Sequence, residues 1–285
     1  MSEYKEKRKN IMAEYRKKAL EWISNKENNG FADVVPFFLD GIVDEETWFA
    51  KGNIFRPLFI MKEPSTGIDG NDENEIIDQL KEYIKVWGLC YDHTCEEYGD
   101  IRIGIFPTWM RIAKLTKALE IETNCKCGFK DCSGEEFDFR FKKGELNPKK
   151  EIVKKKYLNK TDNAEYTRII NKIAVLNIKK IGSGTSSNTI LSEMGYSFDK
   201  YLKNSEICDI LRRQIEIIDP TIIIVCGKGL LDCVNEALGL SNILYSKDGQ
   251  KIICIESYHP SYIKSDNDHC KYVIENFREK METIR

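Results

Sequence analysis

Thr221-Ile222-Ile223-Ile224-Val225-Cys226 is the stretch that decides the fold, bounded by Asp219-Pro220 before it and Gly227 after it. Five of its six side chains are β-branched and nothing polar interrupts the run after Thr221. A strand with one wet face alternates apolar and polar residues; an unbroken short run is what a strand buried on both faces requires. Three more runs of this kind occur: Arg56-Pro57-Leu58-Phe59-Ile60-Met61-Lys62, Ile173-Ala174-Val175-Leu176-Asn177 and Lys251-Ile252-Ile253-Cys254-Ile255-Glu256. Strand–helix–strand alternation of buried strands predicts an α/β fold, a three-layer α/β/α sandwich with a central parallel sheet of about four strands.

Helical patterns lie between and around these runs. Residues 3–24 place Tyr4, Ile11, Met12, Tyr15, Ala19, Leu20 and Ile23 at helical spacing among Lys, Arg and Glu, which predicts an amphipathic surface helix. Residues 73–87 carry Ile76, Ile77, Leu80, Ile84 and Trp87 on one side. A helix over Trp109–Leu119 follows Phe106-Pro107-Thr108, with Thr108 as its cap. Further helical patterns span 188–218 and 228–239. From about 121 to 167 the sequence loses apolar periodicity, gains three cysteines and turns basic, so it reads as a surface insertion. The expectation is one domain over residues 1–285, with the helix at 3–24 and the insertion as additions to its core.

Composition narrows the function classes. The 285 residues are 41% hydrophobic and 32% charged, a mix that supports a folded core. The 44 Lys+Arg nearly balance 46 Asp+Glu, which excludes a uniformly basic nucleic-acid-coating protein. The balance hides polarity along the chain. Residues 140–160 hold nine Lys/Arg and two Glu, a local charge of +7, whereas residues 63–100 hold eleven Asp/Glu and two Lys, a local charge of −9. No apolar run approaches the roughly 18–20 residues of a membrane span, and the N-terminal stretch has no secretory apolar core. Ten cysteines in a chain of this length, with Cys226 and Cys254 inside apolar runs, read as reduced thiols. A cytoplasmic monomer that does not contact a membrane is expected.

In open parallel sheets, ligands bind beyond the carboxyl ends of the strands. The four runs end, in order, at Lys62-Glu63-Pro64, at Asn177 with Lys179-Lys180 and the small-residue loop Gly182–Asn188, at Gly227-Lys228-Gly229, and at Tyr258-His259-Pro260-Ser261-Tyr262. A carboxylate, an amide, a small-residue loop and a histidine would converge on one rim.

Met61-Lys62-Glu63-Pro64-Ser65 and His259-Pro260-Ser261-Tyr262, with Val175-Leu176-Asn177 and Asp219–Gly227 between them in order, resemble the uracil-DNA glycosylase superfamily. That family carries a Gly-x-Asp/Asn-Pro type turn after its first core strand and a His-Pro-Ser turn after its last. The resemblance covers roughly residues 54–118 and 168–278. Met61 stands where the family has glycine, and Glu63 where its best-known members have Asp or Asn, the pattern of a divergent branch.

The resemblance implies a monofunctional DNA glycosylase that hydrolyses the N-glycosidic bond of uracil or a modified pyrimidine and leaves an abasic site. Repair of the cell's own DNA or defence against phage DNA would both use such an activity. Glu63 would stabilise the cationic sugar and orient water, and His259 would hydrogen-bond the departing base. Asn177 offers a donor and an acceptor side by side for a pyrimidine edge. The base must be flipped out or met single-stranded. Phe106 is the candidate stacking platform, with Tyr98 and Trp109 as rivals, and Tyr262 is the candidate wedge into the vacated stack. Ser65, Ser183, Ser187, Ser261 and Lys179 are candidates for the DNA backbone, and the basic segment 140–160 for more distant phosphates. Another nucleotide- or nucleoside-processing enzyme on the same sheet, or a non-catalytic nucleic-acid-binding module, are the competing classes.

No cofactor is expected. Cys125, Cys127 and Cys132 are the candidate metal ligands, with Cys90, Cys95 or His93 as a fourth, but their C-x-C and C-x₄-C spacings depart from the usual C-x₂-C of zinc sites. Some members of the superfamily hold an iron–sulfur cluster on four cysteines, an arrangement these spacings do not match.

Overall fold

Each of the four apolar runs forms a strand of one sheet. The computed structural model describes residues 3–24, 41–61, 107–124, 168–178, 202–240, 247, 249, 251–260 and 266–284. Their elements are α1 (Glu3–Ser24), β1 (Gly41–Ile42), α2 (Glu45–Trp48), β2 (Pro57–Met61), α3 (Pro107–Asn124), β3 (Ala174–Asn177), α4 (Ser205–Ile218), β4 (Ile222–Cys226), α5 (Leu231–Leu238), β5 (Ile253–Ser257) and α6 (Asp266–Ile284).

The sheet order is β1-β3-β2-β4-β5, with β3, β2, β4 and β5 parallel and β1 antiparallel on the edge beside β3. The mixed edge differs from the all-parallel expectation, because β1 pairs through only two residues and has no periodicity to read. Gly41 adopts φ +138, and a Cβ there would meet the Tyr4 hydroxyl at 2.3 Å. That hydroxyl accepts the Ile42 N–H at 3.0 Å, so α1 closes over the added strand.

Side chains alternate across each strand and feed two apolar layers. Leu58, Ile60, Leu176, Ile223 and Val225 pack with α1, α4 and α5. Phe59, Met61, Val175, Ile224, Cys226 and Ile255 pack with α3 and α6. The result is three layers, α/β/α. Each fully buried Phe or Ile contributes about 1.5–3 kcal/mol relative to exposure. The β2-to-β3 crossover runs one way along the sheet and carries α3 on one face. The β3-to-β4 and β4-to-β5 crossovers run the other way and carry α4 and α5 on the opposite face, as right-handed connections demand.

Helix boundaries refine the expectations. α3 begins at Pro107, a residue suited to a first helical position, so Thr108 lies inside the first turn rather than at the cap. α3 also continues to Asn124, inside the stretch read as insertion. Its late carboxylates look polar in sequence but are paired. Glu122 is buried and takes Arg278 of α6 in a two-point bond, 2.6 and 3.1 Å, and Glu120 pairs with Lys172. α4 is capped by Asn204, whose Oδ1 accepts the Glu206 and Ile207 N–H groups, and it ends at Asp219 in the left-handed region, φ 54. The helical patterns at 73–87 and 188–201, and the insertion from 125 to 167, lie outside the described residues.

Beneath the amino ends of β2 and β4 sits a buried ion pair. The Arg56 guanidinium donates to the Asp219 carboxylate at 3.0 Å, to the Asp219 carbonyl at 2.8 Å and to the Asn53 carbonyl at 3.1 Å. The Arg56 N–H donates to Thr221 Oγ1 at 2.9 Å. These bonds fix β2 against β4. No helix among the described residues is long and apolar enough to cross a membrane.

Candidate active site

The register aligns the carboxyl ends of all four parallel strands. Asn177 pairs with Met61, Met61 with Cys226, and Cys226 with Ser257. At about 4.8 Å per strand this row is about 14 Å wide. Residues paired across parallel strands point to one face, and Met61 and Cys226 belong to the layer of α3 and α6, so Asn177 and Ser257 project to that side too. The strand order reverses between β2 and β4: β2 leads toward β3 on one flank and β4 toward β5 on the other. In open α/β sheets ligands bind beyond such a reversal, and Met61 and Cys226 stand on its two sides.

Asn177 is buried, 2% exposed. The next residue is tied down twice: the Ile178 N–H donates to the Met61 carbonyl at 2.9 Å, and the Tyr15 hydroxyl of α1 donates to the Ile178 carbonyl at 3.2 Å. The helix at 3–24, outside the region of resemblance, therefore anchors the strand end that carries Asn177.

Past β4, the Gly227 N–H donates to the Ser257 carbonyl at 2.8 Å, and the Leu230 N–H closes a turn on the Gly227 carbonyl. Gly227 has φ +157, where a Cβ would lie 2.3 Å from Leu230 Cδ1, and Gly229 has φ +80. Both positions require glycine. This turn delays α5 to Leu231, three residues later than periodicity predicts. The Glu256 carboxylate, projecting from β5, accepts the Gly229 N–H at 2.6 Å and the Leu231 N–H at 3.3 Å. The first N–H of α5 is thus satisfied from within the chain.

Past β5 comes the histidine turn. His259 is half-buried, between half-buried Tyr258 and buried Pro260. The Tyr258 ring lies 4.6 Å from Tyr272 and 5.4 Å from His269, both on α6, with the Lys228 ammonium 5.9 Å from its centroid. Arg111, in the early turns of α3, donates to the Pro260 carbonyl. That bond brings the start of α3, which follows Phe106 in sequence, to the His259 end of the rim. The Tyr272 hydroxyl donates to Glu256 at 2.8 Å; its pKa is pushed up to about 12 by burial and by the neighbouring carboxylate. Burial raises the Cys226 thiol, and burial pushes the Cys254 thiol up to about 12, so both act as neutral apolar side chains.

Of the residues singled out by sequence, the structure places Asn177 in the row and His259 two positions past its end. Glu63, Ser65, Phe106, Lys179, Ser183, Ser187, Ser261 and Tyr262 lie outside the described residues, as do Tyr98 and the cysteines Cys125, Cys127 and Cys132. Among the described residues no group of three His, Cys, Asp or Glu side chains is arranged to hold a metal ion. Arg111, Glu256 and Tyr272 were not singled out by sequence. Only Glu256 carried a signal, as the lone carboxylate closing an apolar run. No family model, curated protein or solved structure matches the chain.

Proposed function

We propose that the protein is a monofunctional DNA glycosylase that releases uracil or a modified pyrimidine from flipped-out or single-stranded DNA and leaves an abasic site. The observation that carries this reading is the single row of strand ends: Asn177 lies within it, Met61 leads directly to Glu63, and Ser257 leads to His259.

Cleavage of the N-glycosidic bond builds positive charge on the sugar and negative charge on the base. The Glu63 carboxylate stabilises the sugar cation and orients the attacking water. The His259 imidazole donates an N–H to the oxygen of the departing base, a role the neutral ring fulfils. The Asn177 amide reads the base edge from a buried strand end, where a mispaired donor or acceptor is costly. Phe106 stacks on the base, and Tyr262 fills its place in the helix. Ser65, Ser183, Ser187, Ser261 and Lys179 hold the DNA backbone, and residues 140–160 add phosphate contacts. The enzyme works as a cytoplasmic monomer with its thiols reduced.

The test is a panel of end-labelled oligonucleotides, single- and double-stranded, each with one uracil or modified pyrimidine. Alkali-labile breaks at the substituted position are expected for at least one base, with no break before alkali. Absence of base release from every substrate, under conditions where DNA binding is shown, overturns the reading.

A further inference from the structure

The contacts around the histidine turn form a closed circuit through one carboxylate. Glu256 is the last but one residue of β5, on an edge strand whose other members are mostly apolar. One of its oxygens takes two backbone N–H groups, from Gly229 in the loop after β4 and from Leu231, the first residue of α5. The other takes the Tyr272 hydroxyl of α6. Tyr272 stacks against the Tyr258 ring from one side, and Lys228, a member of the loop that Glu256 holds, lies over the same ring. Both routes out of Glu256 therefore return to Tyr258, whose next neighbour in the chain is His259. On the far side of His259, Arg111 holds the Pro260 carbonyl.

We propose that Glu256 is a positioning residue for His259, fixing the loop after β4 and the turn after β5 as one unit, with Tyr272 as its relay and Arg111 as the second anchor. The consequence for base release rests on the glycosylase reading of His259; the geometric claim does not. The carboxylate is suited to this because it accepts all three hydrogen bonds at once, whereas a neutral amide in the same place keeps the Tyr272 contact only by reversing it, its N–H donating to the hydroxyl. Bonds to a charged acceptor are also the stronger kind. The Tyr272 hydroxyl, a phenol, is protonated in the neutral range and is therefore able to donate.

The position of the imidazole is measurable without substrate. The chain has only three histidines, so ¹³C-histidine labelling gives three ring signals, assigned with the variants His259→Gln and His269→Gln. In Glu256→Ala and in Tyr272→Phe the His259 ring signal is expected to shift or broaden. Glu256→Gln, which keeps the shape and part of the bonding, is expected to lie between wild type and Glu256→Ala. Single-turnover base release should fall in the same order, on the order of 10- to 100-fold for Glu256→Ala, as displacements of about 1 Å at a reacting group produce. If Glu256→Ala does not fold, Tyr272→Phe, which keeps the stacked ring, carries the test alone. A His259 signal identical to wild type in folded Tyr272→Phe and Glu256→Gln overturns the proposal, as does unchanged base release in an active enzyme. Absence of base release from the wild-type protein overturns the glycosylase reading instead, and the ring signals still decide whether Glu256 positions His259.

Discussion

Replacing Asp219 by Asn should destabilise the protein by about 3–5 kcal/mol, the cost of leaving one member of a buried ion pair without its counter-charge. Arg56 is 4% exposed and Asp219 8%, so the pair is largely withdrawn from solvent. The substitution is nearly isosteric and opens no cavity. Asn also tolerates the left-handed conformation at φ 54, so the backbone contributes no penalty of its own. What changes is the charge and one acceptor. If the amide oxygen keeps the Lys247 N–H, now bonded to Oδ1 at 2.7 Å, the amide nitrogen faces Arg56 Nη2 donor to donor. In urea unfolding, a slope of about 3 kcal/mol per molar converts this into a midpoint lowered by about 1 M or more. Adding Arg56→Met to Asp219→Asn should recover most of the loss, because removing both charges removes the uncompensated one. A loss under about 1 kcal/mol for Asp219→Asn, at an unchanged slope, would refute the assignment of a desolvated pair. The pair matters for function through register, since it sets β2 against β4 and thereby Met61 against Cys226 where the strand order reverses.

Asn177→Asp removes the amide donor and should change base preference by about 1–3 kcal/mol, roughly 10- to 100-fold between paired bases, as a lost two-point base contact does. Competition between two substituted oligonucleotides measures it, and an unchanged preference removes Asn177 from base recognition. Tyr272 titrates in the folded protein near 12 rather than 10.0, so its contribution is complete below pH 10 and is lost as pH rises from 10 to about 12. Melting of wild type and Tyr272→Phe should therefore show a stability difference that moves against wild type across that window, whereas parallel curves contradict the Tyr272–Glu256 hydrogen bond. Replacing Lys154, Lys155 and Lys156 by Gln should lower the salt slope of duplex binding by about 0.9 for each lysine that contacts a phosphate. A slope identical to wild type places residues 140–160 away from DNA.

The strands were legible because burial on both faces leaves an unbroken apolar run, as in Ile222–Cys226, and the layer order followed from what separates those runs. β1 was not, since two residues carry no period and Gly41 reads as loop. The late start of α5 was hidden in the conformations of Gly227 and Gly229, which periodicity ignores. At the candidate site, Asn177 and His259 were legible as residues that follow strands. Their supports were not: Tyr15 meets Ile178 across 163 positions, Arg111 meets Pro260 across 149, and Arg56 meets Asp219 across 163. Contacts at such separations depend on the finished fold, and no local pattern announces them. Even the paired Glu122, which looked like the start of a polar insertion, gains its meaning only from Arg278 on the opposite helix.

On the glycosylase reading proposed above, the rim of strand ends is a catalytic site and not only a binding surface. Its most direct test is Glu63→Gln, with single-turnover base release and DNA affinity measured side by side. Release is expected to fall by about 10²–10⁴-fold while affinity changes little, since general-base and electrostatic help is lost but the contacts to DNA remain. Unchanged release, or equal losses in release and affinity, would contradict it.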